Sequence, residues 1–192
     1  MSQRKNTSQQ VRIIGGKYKG RKLRFKGDQT LRPTLGRTRE TLFNWLRPHL
    51  PGSQVLDAFA GSGALGFEAL SHGAAQITLL ESNPHTHKSL VAGASDLGVD
   101  NQCHILRTDT NSYLRQCTSA FDIIFLDPPF NAPELLTQTL EVLLQHKQAR
   151  HLIYAEARTL FLLTDLAENF DLSLTKHTKS GDTVSGLFEL NN

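Results

Sequence analysis

The chain has 192 residues, of which 39% are hydrophobic, and a formal net charge of +3. That is the size and composition of one globular domain, and it excludes a fibrous or wholly disordered chain. No apolar run approaches the roughly 20 residues that span a bilayer, and "MSQRKNTSQQ" has no apolar segment behind its basic residues, so neither anchor nor leader is expected. Cys103 and Cys117 have no metal-ligand spacing and point to reduced thiols in a cytoplasmic setting.

In chain order, residues 1–10 read as a disordered basic tail. From Val11, "VRIIGGKYKGRKLRF" alternates apolar and basic residues around glycines, which predicts a short β-hairpin carrying Arg12, Lys17, Lys19, Arg21, Lys22 and Arg24. "LRPTLGRTRETLFNWLRPHL" follows, with Thr34 as a cap and Leu42, Phe43, Trp45 and Leu46 as the apolar stripe of a helix closed by Pro48 and Pro51. Residues 11–50 therefore form an N-terminal hairpin and helix, and 51–192 the main domain. Up to Arg47 there are 13 Lys/Arg against Asp28 and Glu40, a net of +11, while the remainder carries a net of −8. A basic arm on an acidic body is the distribution expected where one region meets a polyanion.

From residue 53, "QVLDAF", "QITLLE", "QCHILR", "FDIIFLD" and "HLIYAEA" read as strands. "GALGFEALSHG", "PHTHKSLVAGASDLG" and "PELLTQTLEVLLQ" read as the helices between them. "FDLSLTKHT" and "TVSGLFEL", joined by "KSGD", read as a hairpin. Repeated βα units imply an α/β, Rossmann-like parallel sheet with helices on both faces, to which the final hairpin adds an antiparallel edge.

"VLDAFAGSGALGFEAL" places G-x-G-x-x-G between the first strand and its helix. Three readings compete: a tight turn without a ligand, a dinucleotide site, and an S-adenosylmethionine site. Asp57 at the strand tip would repel a pyrophosphate, but it suits the ammonium end of an amino acid, directly or through water. Phe59, Ala60, Gly61 and Gly63 belong to the loop, whose glycines permit a tight turn and let a ligand approach the backbone. Glu81, followed by Ser82, closes the second strand and suits ribose hydroxyls of either cofactor. Asp109 and Thr110 follow the third strand, within reach of an adenine amine.

The fourth strand ends in Asp127-Pro128-Pro129-Phe130. Two prolines fix the chain direction and remove two donors, so carbonyls face the site. A carboxylate, a rigid carbonyl and an aromatic face suit a planar base with an exocyclic amine. Accepting its hydrogens at Asp127 and at the Pro128 carbonyl frees the nitrogen lone pair for a methyl group, while Phe130 stacks on the base. No metal constellation accompanies His85 and His87, and Ser62 is not in a nucleophile elbow.

With these motifs in place, the chain resembles the bacterial guanine-N2 methyltransferases of small-subunit (16S) ribosomal RNA. The resemblance rests on "RIIGGKYKGRKL", "LRPT" with "RETLFNWL", "LDAFAGSGALGFEAL" and "DPPF". It implies a class I methyltransferase sheet of seven strands and a small N-terminal β-hairpin that helps engage RNA. S-adenosylmethionine is the implied cofactor, and one guanine of 16S rRNA, within a partly assembled subunit, the implied target. The resemblance also implies a segment that closes over the cofactor at Arg32, Pro33 and Thr34, and a monomer is the default expectation. Arg32, Arg37 and Arg39 join the basic RNA-binding set. The chain departs from the family at Gly36, where an acidic residue is usual. Adenine-N6 or other amino-methylation of RNA or DNA, a non-catalytic ribosome assembly factor and a nucleotide-dependent oxidoreductase remain as alternatives on the residues alone.

Overall fold

The computed structural model describes residues 9–25, 36–129 and 131–191. Arg32, Pro33, Thr34, Phe130 and residues 1–8 of the tail lie outside the described residues. Strands β1 (Gln9–Arg12) and β2 (Lys22–Phe25) pair antiparallel, with Val11 opposite Leu23. The strand begins at Gln9, inside the stretch expected to be a disordered tail. Its period-2 pattern sorts side chains as expected: Val11, Leu23 and Phe25 are buried, whereas Arg12, Lys22 and Arg24 face outward.

Helix α1 (Gly36–Leu46) leads into a regular alternation: β3 (Gln54–Asp57), α2 (Ala64–Ser71), β4 (Gln76–Leu80), α3 (Pro84–Leu97) and β5 (Cys103–Leu106). Then follow α4 (Thr110–Leu114), β6 (Phe121–Leu126), α5 (Glu134–Gln145), β7 (Ala149–Ala157), α6 (Leu160–Asn169), β8 (Leu172–Ser180) and β9 (Thr183–Leu190). The seven-stranded sheet has the order β5-β4-β3-β6-β7-β9-β8. Strands β3 to β7 are parallel, and β9 runs antiparallel between β7 and β8.

The last hairpin is thus inserted rather than simply added: β9 is interior and β8 is the edge. Composition explains the order. "VSGLF" in β9 is buried throughout, as an interior strand must be, while β8 exposes Ser173, Lys176, His177 and Lys179, the polar dress of an edge.

Each face of the sheet has its own core. One joins Val11, Leu23, Phe25, Leu42, Phe43, Phe67 and Leu90, with Trp45 packed against it. The other joins residues of α4, α5 and α6 such as Leu114, Leu140 and Leu163. Hairpin and α1 therefore share a core with α2 and α3 instead of standing apart as a separate extension. No helix among the described residues is long and apolar enough to cross a membrane.

Candidate active site at the strand ends

Strand order reverses between β3 and β6, whose carboxyl ends lie side by side. In an open α/β sheet this switch point is where ligands bind. The loop leaving β3 is pinned to both neighbours: Ala58 N–H donates to the Phe125 carbonyl (3.1 Å) and Ala60 N–H to that of Leu80 (2.9 Å). Gly63, at φ +75°, precedes α2, and a Cβ there would stand 2.6 Å from the Phe67 ring. Only glycine satisfies both the left-handed backbone and the close approach.

Asp57 is 2% exposed. Its Oδ2 accepts the Gly66 N–H at 3.0 Å, so the carboxylate sits beneath the loop and braces α2. Burial raises its pKa to about 7, offset in part by the Gly66 and Phe59 N–H groups, and the charge of Glu81 adds to the rise. Glu81 is half-buried and also ties down backbone: Oε2 accepts from Gly61 N–H (3.1 Å) and Oε1 from Asn83 N–H (2.7 Å). Its pKa is raised too, by burial first, with the N–H groups of Asn83, Gly61 and Ser82 opposing. Asn83 then caps α3 by accepting from His85 N–H (2.8 Å) and Thr86 N–H (3.2 Å).

Ser82 is exposed, Phe59 and Gly61 are half-buried, and Ala60 is buried. Asp109 is exposed and caps α4, accepting the Ser112 N–H at 2.9 Å. Thr110 is buried, with its hydroxyl donating to the Ala58 carbonyl, which joins α4 to the β3 loop. Asp127 is half-buried at the end of β6, with Pro128 buried and Pro129 exposed. The chain turns there as Ala132 N–H donates to the Pro129 carbonyl at 2.9 Å. Asp57, Glu81, Asp109 and Asp127 thus sit at or just after the ends of β3, β4, β5 and β6. The three that reach solvent, Glu81, Asp109 and Asp127, disfavour a pyrophosphate and favour a cationic ligand.

The family described as conserved hypothetical protein 95 matches residues 11–189. Ribosomal RNA small subunit methyltransferase D of Escherichia coli K12 is 45% identical over 136 residues, which cover 71% of this chain and 68% of that protein. The chain belongs to this methyltransferase D family. The solved YhhF protein of Escherichia coli is 36% identical, with a TM-score of 0.82 over 95% of this chain and 98% of that one. A 16S rRNA N2 methyltransferase (RsmC) of T. thermophilus, solved with AdoMet and guanosine, shares the fold at 19% identity. Its TM-score is 0.74, covering 96% of this chain and 50% of that one.

The fold is that of the class I methyltransferases, and the RsmC structure that shares it holds AdoMet. The residues present are compatible with such a ligand: a glycine-containing turn opens α2 at the switch point, and the carboxylates of Glu81 and Asp109 lie just beyond the ends of β4 and β5.

The basic residues divide. Arg12, Lys17, Lys19, Arg21, Lys22, Arg24 and Arg37 are exposed. Arg39, expected on the RNA-facing surface, is corrected to an interior residue: it is 4% exposed and donates from Nη2 to the Arg12 carbonyl at 3.0 Å. Its Nε and Nη1 have no hydrogen-bond partner among the described residues. Burial lowers its pKa, and Glu68 opposes that shift.

Glu68 was not singled out by the sequence reading, yet it anchors the family member's hairpin. Fully buried on α2, it accepts the N–H groups of Ile14 (2.9 Å) and Gly15 (2.7 Å). Lys17 N–H and Tyr18 N–H then donate to the carbonyl and hydroxyl of Ser71. Arg21 donates to the Asp96 carbonyl near the end of α3. The hairpin tip is consequently docked at the amino end of the sheet, where Gly52 N–H donates to the Gly73 carbonyl. An eight-residue helix, about 12 Å long, separates Lys17 and Lys19 from the strand ends that carry Asp57 and Asp127.

Proposed function

We propose that the chain methylates the exocyclic N2 amine of one guanine in small-subunit (16S) ribosomal RNA, with S-adenosylmethionine as donor. The observation that carries the reading is Asp127-Pro128-Pro129 at the end of β6, beside the β3 glycine loop at the switch point. Its substrate is supported by the name of the 45%-identical relative, a small-subunit rRNA methyltransferase.

In this reading Gly61 and Gly63, with Phe59 and Ala60, form the floor for the methionine end, which Asp57 supports from below. Glu81 and Ser82 face the ribose, and Asp109 and Thr110 flank the adenine; Thr34 and Arg32 belong to the closing segment. When bound, the cofactor supplies an electrophilic methyl group. Asp127 and the Pro128 carbonyl accept the two amine hydrogens, and Phe130 holds the base plane. The amine lone pair then forms the new N–C bond as the S–C bond breaks, with its electrons left on sulfur. The proton released from nitrogen passes by way of Asp127 to water.

Arg12, Lys22, Arg24 and Arg37, with Lys17, Lys19 and Arg21 at the far end of the hairpin, offer phosphate contacts that position the RNA without selecting the base. The chain acts in the cytoplasm as a monomer on a partly assembled subunit. The test is transfer of labelled methyl to small subunits from cells lacking the enzyme. Asp127→Ala should lower turnover about a hundredfold with cofactor affinity nearly unchanged. Near-normal turnover removes Asp127 from the mechanism.

A further inference from the structure

Beside the site, strands β7 and β9 hold a buried polar chain that the roles above do not use. Tyr154 is fully buried, and its hydroxyl donates to Glu156 Oε1 at 2.6 Å. With its single hydrogen committed there, the phenol oxygen accepts from the Ser185 hydroxyl at 3.0 Å. Ser185 is 1% exposed and pairs with Glu156 across the β7–β9 ladder. Burial, reinforced by the charge of Glu156, keeps the phenol protonated well above its ordinary range, so it stays a donor. Two hydroxyls inside an apolar layer are costly unless they serve each other or a third group. Here they form a chain, Ser185 to Tyr154 to Glu156, that ends on one carboxylate.

That carboxylate is placed at the target end of the sheet. Leu126 pairs with Ala155, so the next residues, Asp127 and Glu156, are neighbours at the ends of β6 and β7. They also share a face. The rings of Phe125 and Tyr154 meet edge-on at 6.1 Å on one side of the sheet, and Asp127 and Glu156 each lie two residues further along. The charge of Asp127 is felt at Tyr154 as well. An ionised carboxylate has about four acceptor positions, so a single carboxylate can hold a tyrosine and meet a base as well.

We propose that Glu156 is the residue that selects guanine, accepting the N1–H of the target base while Asp127 takes the N2 amine, and that Tyr154 and Ser185 are positioning residues that aim it. This rests on the guanine-N2 reading above and supplies the base choice that reading lacks. Guanine presents adjacent N1–H and N2–H donors, matched by two adjacent carboxylates. Adenine and cytosine present an amine next to an unprotonated ring nitrogen, whose lone pair would face Glu156. Losing a charge-assisted hydrogen bond and gaining that repulsion should cost about 10- to 100-fold in kcat/KM.

The test uses 2-aminopurine, which keeps the 2-amino group but has no N1–H. Small subunits are reconstituted with guanine or 2-aminopurine at the position the wild type is mapped to methylate, and kcat/KM is compared for wild type, Glu156→Gln and Tyr154→Phe. Wild type should prefer guanine about 10- to 100-fold. Glu156→Gln should lose guanine activity yet narrow that preference, because a glutamine amide can donate to the bare N1. Tyr154→Phe should show the same trend more weakly, with cofactor affinity close to wild type. Equal use of the two bases by wild type, or a Glu156→Gln variant that slows both alike, overturns the role of Glu156. Both results stand apart from the failure of the guanine reading itself, which would show as wild type labelling no guanine at all.

Discussion

Replacing Glu68 with alanine removes the anchor between the hairpin and α2. The structure sets the size of the effect. Two N–H groups, of Ile14 and Gly15, lose their acceptor, and Arg39 loses the anion that opposes its desolvation. His72 Nε2, 3.4 Å from Oε1, loses its neighbour as well. An unpaired buried donor costs about 1–3 kcal/mol, and breaking a buried charge pair about 3–5 kcal/mol. Ile14 and Gly15 are half-buried, so water recovers part of this, and about 3 kcal/mol is the expected loss. Urea unfolding of wild type, Glu68→Ala and Glu68→Gln measures it, with the glutamine retaining one acceptor and losing about half as much. Hydrogen exchange at Ile14 and Gly15 should accelerate in step. A Glu68→Ala loss below about 1 kcal/mol, or unchanged protection of those two amides, would refute the anchoring argument.

Two glycines in the same loop should behave differently. Gly16 has φ +70° and a Cβ there would stand 1.9 Å from the Ser71 carbonyl, whereas Gly20, at φ +87°, has nothing within 4 Å. Gly20→Ala should cost about 1 kcal/mol in urea unfolding and Gly16→Ala clearly more; equal costs would contradict the docking. Asp57 binds its proton more tightly in the fold, its pKa raised from 3.8 to about 7, so the unfolded chain is the less protonated state between those values. Stability without cofactor should therefore fall as pH rises through that window and level off above about 7, and Asp57→Asn should flatten the slope to the part that Glu81 contributes. Cofactor affinity should strengthen as pH rises towards about 7 and level off above it, Asp57→Asn should lose this gain, and a flat wild-type profile would speak against a charged Asp57 in the complex. Lys17→Glu with Lys19→Glu should weaken RNA binding and flatten its salt dependence, leaving cofactor affinity intact; unchanged RNA affinity at moderate salt would remove the hairpin tip from the interface.

What the sequence disclosed was local. The alternation of strands and helices, the strand-loop-helix glycines and "DPPF" are each written within a few neighbouring residues, and the order of charges along the chain needs no structure to be counted. Elements without such signals were missed. Helix α4 has five residues, too few for a period to show. Helix α6 opens with Thr159 as its cap, but "LFLLTDLAEN" follows a strand so closely that its start was hidden. The position of β9 between β7 and β8 depends on which strand buries more surface. Partnerships that build the site's surroundings span 53 and 54 residues for Glu68 and 31 for Tyr154 with Ser185, distances at which no pattern speaks. Two signals were nevertheless present. Arg39 stands at the helical spacing of Leu42, Phe43 and Leu46, on the stripe that turns inward. Glu68 is the lone charge in the otherwise apolar α2, where a carboxylate must have a partner.

The central claim concerns the atom that receives the methyl group. Small subunits lacking the modification are incubated with methyl-labelled cofactor and the enzyme, the RNA is digested to nucleosides, and the labelled nucleoside is identified by mass and chromatography. The account predicts N2-methylguanosine from wild type and almost none from Asp127→Ala. Labelled N6-methyladenosine, or label on any atom other than guanine N2, would contradict it.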